Sequence, residues 1–161
     1  MPFTPFHFGP GLAFKAIGGK RFSFLVFAGS QILMDIEPLI GILQHKPILH
    51  GYTHTLLGAF IIGTFAGIMG KAICPFLFRI MAIPHRPYTW LASLAGAYIG
   101  TFSHILLDAI MHADMSPWWP IAPGNQLLRV ISVEQLHVAC LIAGIIGIIG
   151  IIVRSKFDTS A

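Results

Sequence analysis

Four long apolar stretches constrain the fold of this chain most strongly. They run approximately over residues 22–43, 54–73, 90–112 and 134–153, and Pro-containing connectors separate them at 44–53, 75–89 and 113–133. A helix needs about 20 mostly apolar residues to cross the hydrocarbon core of a bilayer, and each stretch reaches that length. The sequence therefore predicts an all-α polytopic membrane bundle with four spans, in which residues 1–161 form a single membrane-embedded helical domain.

The low charge content agrees with a membrane protein. Hydrophobic residues make up 55% of the chain and charged residues only 10%, whereas soluble domains carry roughly 25% charged residues. The ten Lys and Arg residues are scattered singly rather than clustered on one face, which argues against a nucleic-acid partner. Cys74 and Cys140 are isolated in apolar surroundings and are predicted to be free packing residues.

The distribution of basic residues predicts the orientation, because an excess of Lys and Arg marks cytoplasmic loops. Only Lys46 and Arg129 fall in the connectors expected on the outer side. The other eight basic residues lie before the first stretch, around the 75–89 connector, or after the last stretch: Lys15, Lys20, Arg21, Lys71, Arg79, Arg86, Arg154 and Lys156. Both ends of the four-span bundle are therefore expected inside.

With this topology, the acidic and histidine side chains of the spans and outer loops collect on the outer side. They are Asp35, Glu37, His50, His54, His104, Asp108, His112, Asp114, Glu134 and His137. Ionisable groups at membrane depth are costly and usually face a functional interior. One polar site near the outer surface is the simplest explanation of their placement.

Two sets of these residues have the spacing of metal ligands on helices. His104, Asp108 and His112 are each four residues apart, and so are His50 and His54. Positions four apart share a helix face, so each set is expected to project together. Imidazole and carboxylate groups suit zinc, iron or manganese. A buried His–Asp hydrogen-bond network without metal is the structural alternative.

Carboxylates near helix ends complete the predicted site. Asp35 and Glu37 precede Pro38, which ends or kinks a helix. Residues two apart do not share a helical face. Asp35 is therefore the predicted ligand and Glu37 a group at the rim, although the two could be an ordinary interfacial pair. His137 is a further predicted ligand, while Glu134 either supports a ligand or simply favours a helix N-terminus.

The path of the N-terminal segment has two possible solutions. Residues 7–19 would cover only about 20 Å as a helix, which is short of the roughly 30 Å hydrocarbon core. The segment could lie on the inner surface as an amphipathic helix. Alternatively, it could enter from the outer side as a half-helix that turns at residues 18–21, and only this path brings His7 to the other ligands.

Hydrolysis by metal-activated water is the chemistry that these residues favour. The chain has no His-Glu-x-x-His motif, no Gly-x-Ser-x-Gly elbow and no phosphate-binding Gly-rich loop. Glu37, Asp114 or Glu134 could accept the proton or orient a ligand histidine. A metal-binding transporter or sensor without turnover is the alternative, but transporters usually place their sites near the membrane midplane.

Three segments resemble the YdjM-like family of bacterial inner-membrane proteins, described as membrane-bound metal-dependent hydrolases. They are Met34-Asp-Ile-Glu-Pro38, His50-Gly-Tyr-Thr-His54 with the following Thr-Leu-Leu, and Gly100-Thr-Phe-Ser-His-Ile-Leu-Leu-Asp108. The family usually has a Pro-Asp-x-Asp-His element at the first segment, so the role of Glu37 departs from its pattern. It also often has Arg where this chain has Gly51. More remotely, the His/Asp order is similar to the zinc-dependent phospholipase C and single-strand nuclease group.

The resemblance implies a hydrolase that holds one to three divalent transition-metal ions, with zinc the first choice. It implies a multi-pass protein of the bacterial inner membrane with its site on the periplasmic side, among membrane lipids, acting on a phosphoester or lipid-linked substrate. The opening Met1–Gly11 resembles a short branch of the family, so we expect the half-helix path, with His7 beside His104 and Asp108. The predicted ligands are His7, Asp35, His50, His54, His104, Asp108, His112 and His137, and the predicted catalytic carboxylates are Asp35, Glu37, Asp114 and Glu134.

The topology can be tested with reporter fusions. The charge asymmetry predicts a cytoplasmic C-terminus after Lys156 and an external loop around Gly124. A reporter that is active only in the periplasm should be active at Gly124 and inactive at the C-terminus. An external C-terminus would contradict both the topology and the outward-facing site.

Overall fold

The computed structural model describes residues 5–82 and 88–158, so His85 and Arg86 lie outside the described residues. Across these two ranges the chain is helical and contains no strand. Four helical segments are long and apolar enough to cross a membrane: Phe24–Leu43, Leu56–Ile80, Trp90–Met111 and Val133–Phe157. The predicted all-α bundle is confirmed, and the four segments indicate a multi-pass membrane protein.

Six α-helices form the bundle. They are α1 (Phe8–Gly18), α2 (Phe24–Met34), α3 (Ile36–Leu43), α4 (Leu56–Ile80), α5 (Trp90–Met111) and α6 (Val133–Asp158). Short 3₁₀ turns at Pro5–His7, Gly19–Arg21 and Tyr52–His54 precede α1, follow it and precede α4. The hydroxyls of Ser23, Thr55 and Thr89 cap the N-termini of α2, α4 and α5 by accepting backbone N–H hydrogen bonds.

Two proline positions change the predicted boundaries. The first span is broken at Asp35, because Pro38 has no N–H for the carbonyl of Met34 and its ring crowds that carbonyl. The second predicted span corresponds to α4, which continues through Pro75 to Ile80, so the prediction that this span ends at residue 73 is wrong. The apolar sequence continues beyond Pro75, and one missing hydrogen bond does not end a helix inside a packed membrane bundle.

The predicted helical face of His50 and His54 is also wrong. His50 lies in an irregular loop, and His54 ends the 3₁₀ turn Tyr52–His54. Helix α4 begins only after this pair, because Thr55 is its N-cap and accepts a hydrogen bond from the Gly58 N–H. The two imidazoles are therefore presented by loop backbone rather than by adjacent turns of a helix.

The N-terminal segment follows the half-helix path. Helix α1 is only 11 residues long and turns into α2 at Gly19, whose φ of 51° is in the left-handed region that favours glycine. The Lys15 ammonium closes this turn by donating to the carbonyls of Gly19 and Phe22 at 2.8 and 2.9 Å. At the other end of α1, His7 Nε2 lies 3.3 Å from Asp108 Oδ1. The proximity of His7 to the site is thus confirmed.

The C-terminal part of α6 is hydrogen-bonded to the last turn of α1. Arg154 Nη1 donates to the carbonyls of Ala16 and Ile17 at 3.2 and 3.0 Å. His7 lies at the opposite end of α1 from this contact. The start of α1 and the end of α6 therefore lie at opposite ends of the bundle.

Glycines allow α1 and α6 to pack closely. Gly144, Gly147 and Gly150 form one stripe of α6, and a Cβ on Gly147 would overlap backbone atoms of Leu12 and Ala13 in α1. Small residues at helix contacts are the usual means of close approach within lipid, where the hydrophobic effect does not drive helix association. The glycine stripe thereby holds the half-helix, and with it His7, against the bundle.

A matched pair of glycine substitutions tests this packing. Gly147→Ala should destabilise the protein by about 1–3 kcal/mol, because the added methyl overpacks a backbone contact. Gly29→Ala should be neutral or stabilising by up to about 1 kcal/mol, since its Cβ meets open space and alanine favours helix. Denaturation in detergent micelles measures both. Equal effects of the two changes would contradict close α1–α6 packing.

Candidate metal centre

The candidate site lies where α2 ends, α4 begins and α5 approaches its C-terminus. Asp35 follows α2, His54 precedes α4, and His104 and Asp108 lie one turn apart in α5. These four residues are buried, and each offers one ligand atom within 4.8 Å of the other three. The helix packing thus brings together groups that are up to 73 positions apart in sequence.

His104 Nε2 is at the centre of this first ligand group. It lies 3.1 Å from Asp108 Oδ2, 3.5 Å from Asp35 Oδ1 and 3.3 Å from His54 Nε2. His54 Nε2 is 3.5 Å from the same oxygen of Asp108. The predicted shared face of His104 and Asp108 is therefore confirmed, and the Asp35 side chain reaches the site as expected.

A second ligand group adjoins the first through Asp108. It consists of His50, Asp108 and His112, again with ligand atoms within 4.8 Å of one another. His112 is the C-cap of α5, with extended backbone (φ −112°, ψ 123°), and its ring stacks on that of His50 with centroids 4.0 Å apart. The Asn125 amide fixes this helix end by donating to the carbonyls of Ala109 and His112 at 2.7 and 3.0 Å.

A glutamine within the first span orients His104. The Gln31 side-chain nitrogen donates to the Gly100 carbonyl at 2.9 Å, so its oxygen faces His104 Nδ1 at 2.7 Å. An amide oxygen only accepts, so Nδ1 of His104 carries the proton. Nε2 of His104 faces Asp35 and Asp108, and it is the ring atom that could bind a metal ion.

Glu37 orients His54 in the same way, through a hydroxyl. The Thr53 hydroxyl donates to Glu37 Oε2 in a short hydrogen bond and lies 2.9 Å from His54 Nδ1. The Thr53 N–H donates to the same Glu37 oxygen at 3.0 Å. With its own proton committed to Glu37, the hydroxyl accepts from His54 Nδ1–H, and Nε2 of His54 is left facing the site.

Asp114 orients His50 directly. Its Oδ1 accepts from His50 Nδ1 at 2.9 Å, and its Oδ2 accepts from the N–H groups of Leu49 and His50 at 2.9 and 3.2 Å. Burial opposes ionisation of Asp114, but these hydrogen bonds outweigh it and lower its pKa to about 2. Burial also lowers the pKa of His50 and of His112, so both are neutral at pH 7.

These contacts leave an arrangement that fits a cation. The Nε2 atoms of His54 and His104 converge with the carboxylates of Asp35 and Asp108, while the Nδ1 atoms of both rings are hydrogen-bonded on the side away from the centre. Acceptors held this close in a buried site need positive charge between them. Neutral imidazole and carboxylate are ligands of divalent transition metals, and carboxylates and carbonyls behind the rings are typical of such sites.

The apolar residues beneath the ligands seal this end of the bundle. Met34, Ile105 and Ala109 have no exposed surface, and they form one core cluster with Ala59 and Met115. Because this layer excludes water, charges above it are weakly screened and their interactions are strengthened.

Five predicted site residues lie outside both ligand groups: Glu37 and Asp114, which lie behind the histidine rings, and His7, His137 and Glu134. His7 is adjacent to them, with its ring edge-on to His104 at a centroid distance of 4.9 Å. His137 stacks on Phe6 with centroids 4.2 Å apart, and Glu134 is exposed at the start of α6. His137 therefore lies beside the N-terminal turn Pro5–His7.

Gln31 and Thr53 are the contributors that the sequence analysis did not identify. Gln31 is a polar residue inside an apolar span, four positions before Asp35, and both properties are visible in the sequence. Thr53 has no comparable signal, because its role depends on the 3₁₀ turn that places it between Glu37 and His54.

Comparisons with models of known families, with curated proteins and with solved structures gave no match.

Substitutions on and behind the ligands should lower metal binding to different degrees. His104→Ala removes a ligand and should abolish stoichiometric metal. Gln31→Leu leaves all ligands in place but frees the His104 ring, and should weaken metal affinity about 10–100-fold. His45→Ala, in the exposed loop after α3, should have no effect. Metal analysis after equilibrium dialysis measures the three variants, and wild-type affinity in Gln31→Leu would contradict the orienting role.

Proposed function

We propose that this protein is an integral-membrane metal-dependent hydrolase. The observation that carries the proposal is the convergence of Asp35, His54, His104 and Asp108, with the Nδ1 atoms of both histidines hydrogen-bonded on the side away from the centre. The second group, His50, Asp108 and His112, supports a centre of two cations that share Asp108. Zinc is the first candidate, because nitrogen and carboxylate ligands suit it and no thiolate takes part.

A divalent cation at this site would lower the pKa of a bound water and polarise the bond to be cleaved. The chain's own carboxylates divide into two roles. Glu37 and Asp114 lie behind the rings of His54 and His50, so we assign them to holding these rings in one tautomer. Asp35 faces the centre, so it is the proton acceptor that we propose among the four predicted catalytic carboxylates.

The position of the site favours an amphiphilic substrate. The ligands gather at one end of helices that are long and apolar enough to cross a membrane, where a lipid head group would meet them. A phosphoester in such a head group, as in a phospholipid or a polyprenyl phosphate, matches the chemistry of a cation pair. We propose a bacterial inner-membrane location from the family resemblance, and we place this end on the periplasmic side from the charge asymmetry.

Metal transport is the second candidate, and the break in the first span favours it. Discontinuous helices often contribute ligands to transporter sites, and Asp35 lies between α2 and α3. Against transport, His54 lies before the first residue of the 25-residue α4, at the end of the bundle. Turnover of an ester and movement of the ion across a bilayer are separate measurements, so one experiment distinguishes the two.

The test uses purified full-length protein in lipid nanodiscs, loaded with zinc, against a panel of soluble and lipid phosphoesters. Asp35→Asn should lower kcat by about 10²–10⁴-fold, as expected for loss of a proton acceptor. Glu134→Gln, on the exposed start of α6, is the matched control and should retain wild-type turnover. Chelation should abolish activity and zinc should restore it. Stoichiometric metal with no ester cleaved, together with zinc flux in proteoliposomes, would establish transport instead.

A further inference from the structure

An open apolar groove runs along the two helices that lead to the candidate site. Its cavity is about 370 Å³, within the roughly 300–1,000 Å³ range of ligand sites. Leu25, Gly29 and Leu33 of α2 line one wall, and Phe65, Met69 and Ile73 of α4 line the other. We propose that this α2–α4 groove holds a hydrocarbon chain of a lipid substrate, an inference that rests on the proposed hydrolase function.

The groove ends at Leu33, two residues before Asp35, where it adjoins a second cleft. This upper cleft of about 260 Å³ shares Leu33 with the groove and is lined further up by Ile36, Glu37, Lys46 and Thr53. Glu37 and Thr53 are the residues that hold His54. A lipid lying in the groove would have its polar end at the end of α2, near Asp35, with the Lys46 ammonium available to an anionic head group.

The side chains of the groove suit a chain entering from the surrounding lipid. Leu25, Phe65, Met69 and Ile73 are 38%, 54%, 38% and 41% exposed, and a Cβ on Gly29 would meet open space. The Ser30 hydroxyl in the wall donates to the Phe27 carbonyl at 2.7 Å, so its proton needs no acceptor from a bound hydrocarbon chain. Glycine at position 29 thus leaves room where any larger side chain would fill the groove.

The groove would fix the position of the hydrocarbon chain rather than provide hydrophobic binding energy. A hydrocarbon chain gains little hydrophobic energy on leaving a bilayer for an apolar groove, because both surroundings are apolar. Shape contact with α2 and α4 can nevertheless hold the chain at a fixed depth. Asp35 follows α2 and His54 precedes α4, so a chain aligned with these helices directs its head group toward the ligands.

Photo-crosslinking tests the groove independently of turnover. The full-length protein is placed in phosphatidylglycerol nanodiscs that contain a small fraction of the same lipid with a photoactivatable diazirine in one acyl chain. Cross-links should concentrate on α2 and α4 residues of the groove. Gly29→Leu should lower labelling of the groove at least about tenfold, equivalent to about 1.4 kcal/mol. Ala139→Leu, which adds the same bulk to an exposed position of α6, should leave it unchanged.

Zinc content and cleavage of a soluble phosphodiester, measured on the same preparations, separate the groove from the chemistry. Gly29→Leu should retain both while losing cleavage of the long-chain lipid. If α2, α4 and α6 are labelled equally and Gly29→Leu does not change this labelling, the protein contacts annular lipid only. That result would overturn the inference, whether or not the soluble ester is cleaved. Groove-specific labelling without any ester cleavage would overturn the hydrolase and, with it, the groove as a substrate site.

Discussion

The rest of the structure depends on one buried carboxylate, Asp108. Its two oxygens face different partners: Oδ2 lies beside His104 and His54, and Oδ1 beside His7. A charge in this position would be strongly destabilising without compensation, since nearly all of its surface is buried. The converging helix ends, the half-helix and the two loops at this end of the bundle supply the partners that the buried Asp108 carboxylate requires.

The half-helix α1 is necessary to close this site within a membrane. Without it, the side of α5 that carries His104 and Asp108 would be open where α1 and α6 now lie. The α1–α6 pair is held by glycine contacts along its length and by Arg154 at the turn. These contacts extend from the turn to Gly9, two residues from His7, and so fix the depth at which His7 enters. Packing along the α1–α6 pair thus determines the geometry beside the ligands.

The sequence predicted the parts of the site that lie on regular helices. The spacing of His104 and Asp108 is a direct property of α5, and the break near Pro38 follows from the missing N–H of proline. The prediction failed where loop backbone decides the position: His50 and His54 have helical spacing but no helix. His137 lies beside Phe6 and outside both ligand groups, in a position that depends on helix packing that no local pattern encodes.

The irregular loop before α4 explains how the carboxylates of Glu37 and Asp114 can orient two histidines of one site. Two histidines on adjacent turns of a helix would project from the same side. Loop backbone instead presents His50 and His54 from different directions, so Asp114 reaches one ring from behind and Glu37, through Thr53, reaches the other. The negative charge that orients the rings is thereby kept on the far side from the ligand atoms. Only Asp35 and Asp108 then contribute carboxylate oxygens to the first ligand group.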